Sequence, residues 1–186
     1  MTAIWNNFDN GSKSLEYYAD VIANLGATTA SSADEIATGL EKFAAIADTV
    51  GLSYEYATAA LATVTAETRQ SADVVGTAFK TLFARIQDLE LGKALDDGTT
   101  LGQYSQALKQ VGVDIKNASG EIKSMDVVLN ELGSRWQSLA ADEKVAVAQS
   151  VAGIRQYSQM MALMDNWDSF QLNVQTAEIS EGALES

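Results

Sequence analysis

Apolar residues along this chain return every three or four positions, the spacing that lays a stripe down one side of an α-helix. The clearest case begins at Ser32-Ala-Asp-Glu35, a capping box whose Ser and Glu side chains can satisfy exposed amides reciprocally. Ile36, Leu40, Phe43, Ala47 and Val50 follow on one face, and Gly51 ends the run because glycine tolerates a left-handed backbone. The pattern predicts a helix over about 33–50.

The same punctuation recurs down the chain. Ser53 caps a segment bearing Ala57, Ala60, Leu61 and Val64 that runs to about Arg69, and Ser71 caps another with Val75, Phe79, Leu82, Ile86 and Leu89 facing inward. Thr100 and Gln103 form a second capping box ahead of Leu101, Tyr104, Leu108 and Val111, closed by Gly112. Ser124 opens a helix with Met125, Leu129, Leu132, Trp136 and Leu139. Val145, Ala148 and Val151 mark a short helix stopped near Gly153, though Ala140 offers no capping side chain before Asp142-Glu143. Ile154, Tyr157, Met161 and Met164 carry the next, and Trp167, Phe170, Val174 and Ala177 the last. An earlier helix is predicted from Leu15 to Leu25, ending at Gly26.

Two stretches depart from this spacing. Residues 92–100 form a polar loop, acidic at its centre. Val113 to Ile122 alternates around Asn117-Ala-Ser-Gly120, which predicts a small β-hairpin lying against the helices. The expected fold is all-α: a compact bundle of about eight or nine short helices, with a small β-hairpin near 113–122. Residues 1–186 read as one helical module, with the 92–100 loop as a possible subdivision and with frayed ends at 1–12 and 178–186. No block repeats at a fixed period.

Composition narrows the chemistry. Histidine, cysteine and proline are all absent from the 186 residues. Disulfides, thiolate or imidazole metal sites, cysteine nucleophiles and histidine bases are therefore excluded. With 25 Asp and Glu against 12 Lys and Arg, the formal charge is −13. Direct nucleic-acid binding is not expected, because the basic residues stand singly and a phosphate backbone would be repelled. The longest uncharged stretch, Val21 to Ala33, is rich in Asn, Gly, Thr and Ser, so no membrane span is expected.

The remaining candidates each have a plainer explanation. Asp88, Glu90, Asp96 and Asp97 could hold a hard cation, but neither their spacing nor that of Asp114, Asn117 and Gly120 matches a calcium loop. They read as solvated surface acids. Gly92, Gly98 and Gly102 are too widely spaced to cradle a phosphate. Tyr54, Tyr56, Trp136, Tyr157 and Trp167 could stack on bases, yet their helical spacing beside aliphatic residues reads as core packing. Met160, Met161 and Met164 form a soft patch suited to partner helices or, more simply, to filling a core. The alanine-rich face from Tyr56 to Ala66 invites close approach of another helix, from this chain or from another copy. No catalytic, cofactor-binding or metal-ligating residues are assigned, and the chain is read as not an enzyme.

Certain segments, taken in order, carry a resemblance. They are Leu40-Glu-Lys-Phe-Ala-Ala-Ile-Ala, Val50-Gly-Leu-Ser-Tyr-Glu-Tyr-Ala, Val75-Gly-Thr-Ala-Phe-Lys-Thr-Leu-Phe-Ala-Arg-Ile and Leu108-Lys-Gln-Val-Gly-Val-Asp. After the Asn117 turn come Met125-Asp-Val-Val-Leu-Asn-Glu-Leu, Trp136, Val147-Ala-Gln-Ser-Val-Ala-Gly-Ile-Arg-Gln-Tyr and Met161-Ala-Leu-Met-Asp-Asn-Trp. Over about residues 15–170 the chain resembles the core region of tape measure proteins from tailed phages and prophages.

The resemblance implies a structural role in tail assembly and length determination, with release at genome ejection. The implied partners are other copies of the chain, tail tube proteins and tail chaperone or initiator proteins. The implied location is the tail lumen of the virion after assembly and the host cytoplasm before it. Since a ruler must be extended and this stretch is cut into short helices, the chain is expected to be a fragment of a longer protein or a truncated prophage remnant. The alternative is a stand-alone acidic phage protein that inhibits a host factor by charge mimicry.

Overall fold

A computed structural model describes Phe8, residues 14–29 and residues 31–185. The expected fraying of residues 1–12 falls, Phe8 aside, outside the described residues. Nine α-helices run through the described residues. They are α1 Leu15–Thr28, α2 Ala33–Thr49, α3 Tyr54–Thr68, α4 Ala72–Glu90, α5 Leu101–Gln110, α6 Met125–Trp136, α7 Ala141–Ala152, α8 Tyr157–Asp165 and α9 Trp167–Glu185.

The caps act largely where the sequence puts them. Ser32, Ser53 and Ser71 accept from the amides of Glu35, Tyr56 and Val74, and Thr100 with Gln103 closes the full reciprocal box. Each such cap contributes about 1 kcal/mol to its helix. At Ala140, Glu143 does half the work alone by accepting from the Ala140 amide at 2.9 Å. Ser124 departs from expectation: its hydroxyl donates to Asp126 rather than capping α6. Gly51 and Gly112 stop their helices at φ of +90° and +88°, a region that L side chains avoid. Gly26 does not stop α1, which continues to Thr28.

No strand forms among the described residues, so the expected β-hairpin is corrected to a turn. A single antiparallel bridge joins Lys116 and Ile122. The Asn117 side chain accepts from the Ser119 and Glu121 amides, closing the loop on itself within a few residues. Too little extended chain remains on either side to build a ladder.

The α3 helix lies at the centre. Its residues Tyr56 to Thr65 are all buried, and α1, α2, α4, α8 and α9 pack around it. The alanine-rich face is therefore covered from within the chain. The hydroxyls of Thr58 and Thr63 return to the carbonyls of Tyr54 and Ala59 at 2.6 and 2.8 Å, so these polar side chains enter the core with their donors satisfied. Buried residues from all nine helices form one contiguous apolar cluster.

The tightest crossing joins α2 to α4. A Cβ added at Gly76 would lie 2.2 Å from the Gly39 carbonyl oxygen, and one at Gly39 would lie 2.5 Å from the Ala72 carbonyl oxygen. Backbone thus packs on backbone. Beyond that point Phe43 meets Phe79 edge-on at 5.4 Å and Phe83 at 6.1 Å. A second close approach sets the Trp167 ring over Gly133 of α6, where an added Cβ would come within 2.2 Å of the ring.

Candidate functional site

The polar loop after α4 is the most chemically varied part of the surface. It is built from Arg85, whose side chain is only 12% exposed beside the apolar stripe of Leu82, Ile86 and Leu89. Arg85 Nη1 donates to Asp97 Oδ2 at 2.7 Å, while Nη2 donates to Thr99 Oγ1 at 3.1 Å and to the Ser150 carbonyl at 3.3 Å. One guanidinium therefore ties α4 to both the loop and the last turn of α7. Its planar fork suits this arrangement better than a lysine would.

The acids near the loop are in different situations. Asp97 accepts from the Thr99 amide and from Arg85, and these bonds lower its pKa to about 2. Asp88 pairs with Lys93 at 3.5 Å. Half-burial pushes the Glu90 carboxyl above the usual range. Asp88, Asp96 and Asp97 line one open groove of about 540 Å³ together with Thr77, Lys80, Arg85 and Gln156. Sharing a groove does not bring them close enough to act together: no group of three or more acidic side chains among the described residues could hold a metal ion.

The other sequence candidates fall into the scaffold. Asn117 and Gly120 serve the turn after Ile115, where the Gly120 amide donates to the Asn117 carbonyl. Gly92 and Gly98 shape the loop at positive φ, and Gly102 lies in the first turn of α5. Tyr54, Tyr56, Trp136 and Trp167 are buried, and Tyr157 is partly so. Tyr54 donates to the Tyr18 carbonyl at 2.5 Å, Tyr56 to Asn130 at 3.0 Å and Trp136 Nε1 to Asp165 at 2.7 Å. Burial pushes the Tyr54, Tyr56 and Tyr104 hydroxyls above their ordinary pKa. Met160 and Met164 fill the core while Met161 is half-buried, and Ile154 lies outside α8, 76% exposed.

Sequence reading missed two features. Arg85 carried a usable signal, since it is a lone cation at the edge of the Leu82–Ile86–Leu89 stripe with Asp97 twelve residues on. Gly39 and Gly76 also carried one, because each interrupts an apolar stripe inside a helix, where glycine costs about 1 kcal/mol relative to alanine. Neither signal named the partner.

The surface offers grooves and polar ties, and no helix among the described residues is long and apolar enough to cross a membrane. No solved structure matches the chain. Residues 1–153 match the family described as phage-related minor tail protein. This match indicates a structural part in a phage tail and a place in the virion. The chain belongs to the phage-related minor tail protein family.

Proposed function

We propose that this chain is the core module of a tape measure protein, which takes part in tail assembly and length determination and leaves the tube when the genome is ejected. The observation that carries this reading is the family match over residues 1–153 together with the ordered segments from Leu40 to Trp167. In this reading the module is an anchoring knot on the ruler, and the length-setting helix lies in another part of it. The longest helices here have 19 residues, about 28 Å at 1.5 Å per residue, whereas 186 residues in one helix would reach about 280 Å. The expected partners are other copies, the tail tube and a tail chaperone or initiator. Assembly would begin in the host cytoplasm and end in the tail lumen.

The test is tail length by electron microscopy of particles carrying altered genes. Inserting about 30 helical residues into the ruler outside this module should lengthen the tail by about 45 Å. Deleting residues 15–170 should abolish tails of defined length. Tails of normal length after both changes would rule the proposal out.

A further inference from the structure

The last helix turns one side to the core and leaves an apolar pair on the other. Phe170 and Ala177 are buried, while Leu172 and Ile179 are 63% and 69% exposed. Seven residues apart, these two share one helical face two turns apart. Both line an open groove of about 680 Å³ together with Thr63, Ala66 and Glu67 of α3 and Thr29 at the end of α1. Other strongly exposed apolar side chains, Leu91 and Ile154, stand singly where helices end, as scattered surface residues commonly do.

Charge narrows what could fit there. The helices that frame the groove carry acids, among them Glu16, Asp20, Glu67, Asp168 and Glu178, and neither Lys nor Arg occurs within α1, α3 or α9. Arg69, exposed just past α3, and Lys13, two residues before α1, are the cations adjoining them in sequence, and no basic residue follows Arg155. Two copies meeting through this face would set acid against acid, which association penalises. We infer that the groove receives a cationic amphipathic helix of another protein. Its apolar stripe lies over Leu172 and Ile179, and its Lys or Arg side chains face Glu67, Asp168 and Glu178. This mode of recognition needs an apolar groove and a helix with anchors at helical spacing. It is independent of whether the chain is part of a ruler.

The probe is a dye-labelled synthetic Leu/Lys peptide of about 18 residues with leucines at helical spacing, titrated with the whole chain and followed by fluorescence anisotropy. A peptide of the same composition in shuffled order controls for charge alone. The ordered peptide should bind at least about tenfold more tightly than the shuffled one, and binding should weaken as salt rises. The double variant Leu172→Ser with Ile179→Ser should lose at least about tenfold in affinity, since two exposed apolar anchors are removed. Both positions face solvent, so an unchanged thermal melt confirms that the variant is folded. Equal binding of the two peptides, or equal binding by the folded double variant, would overturn the inference. So would sedimentation showing that the chain alone dimerises and that the double variant abolishes the dimer.

Discussion

At its first turns α4 offers Gly76 to the backbone of Gly39 on α2, and near its other end the same helix offers Arg85 to a loop and to the end of α7. The first junction is steric at its centre, with one solvent-exposed ion pair, Lys42 to Asp73, at its rim. It works because nothing but hydrogen projects from either glycine, and the aromatic rings of Phe43, Phe79 and Phe83 fill the space just beyond. The second is polar and directional, a few bonds radiating from one guanidinium. It has counterparts in the same part of the chain, where Arg135 Nε donates to the Gly112 carbonyl at 3.1 Å and Lys123 pairs with Glu131 at 2.9 Å. Nine of the 12 basic residues lie between Lys80 and Arg155, although the α2–α4 crossing has an ion pair of its own, Lys42 with Asp73 at 3.1 Å. A close-packed junction tolerates salt and pH but not volume, whereas a polar one tolerates volume but responds to charge.

The sharpest way to break this contrast is Gly76→Ala. The added methyl would meet a carbonyl oxygen at 2.2 Å, and because that oxygen belongs to backbone a whole helix must move. Chemical denaturation should show a loss of about 3 kcal/mol or more. An alanine variant as stable as the parent would mean that the two helices are not held by close approach.

Arg85→Ala should have a middling effect. It leaves Asp97, Thr99 and the Ser150 carbonyl without their shared donor, a loss of about 1–2 kcal/mol. Hydrogen exchange should quicken in residues 92–100 and the last turn of α7 while α2 keeps its protection. If α2 loosens equally, the two junctions belong to one cooperative unit and the contrast dissolves.

The smallest effect concerns acid. Asp97 has a folded pKa of about 2 against an ordinary value of 3.8, so the stability it contributes is complete above about pH 5 and is lost as pH falls through about 2. Its side chain is 45% exposed, and solvent screening limits the contribution to about 0.5 kcal/mol. Asp97→Asn should remove this part of the acid dependence, visible as a smaller drop in melting temperature between pH 5 and pH 2 relative to the parent.

The helices were legible because caps and stripes are local. Ser53 caps through a hydroxyl three residues from the amide it serves, and Val75, Phe79, Leu82 and Ile86 share a face whatever lies opposite. The errors arose where a packing contact or a side-chain bond changed what the local pattern suggested. Gly26 looked like a stop, yet α1 continues through it, and an added Cβ there would press on the Ala33 amide nitrogen at 2.8 Å. Val113 to Ile122 alternates like a hairpin, yet the Asn117 side chain closes the loop before strands can extend. On α8 the inward face shifted by one residue, so that Met160 is buried where Met161 was expected. Of the candidate acids, the pairing of Asp97 with Arg85 needed the loop's path through space, which no spacing rule supplies.

By itself, then, the sequence determined that the chain is helical, where most helices begin and end, and which chemistry it lacks the residues to perform. Those properties depend on backbone conformation and side-chain type within a few residues. Tertiary structure alone decided that α3 would be the buried axis, that Gly39 would meet Gly76, that Arg85 would pin a loop to α7, and that Leu172 and Ile179 would remain uncovered. Each of these follows from which surfaces come together when the helices share one core, a choice made by shape complementarity across long stretches of chain rather than by any residue's local preference.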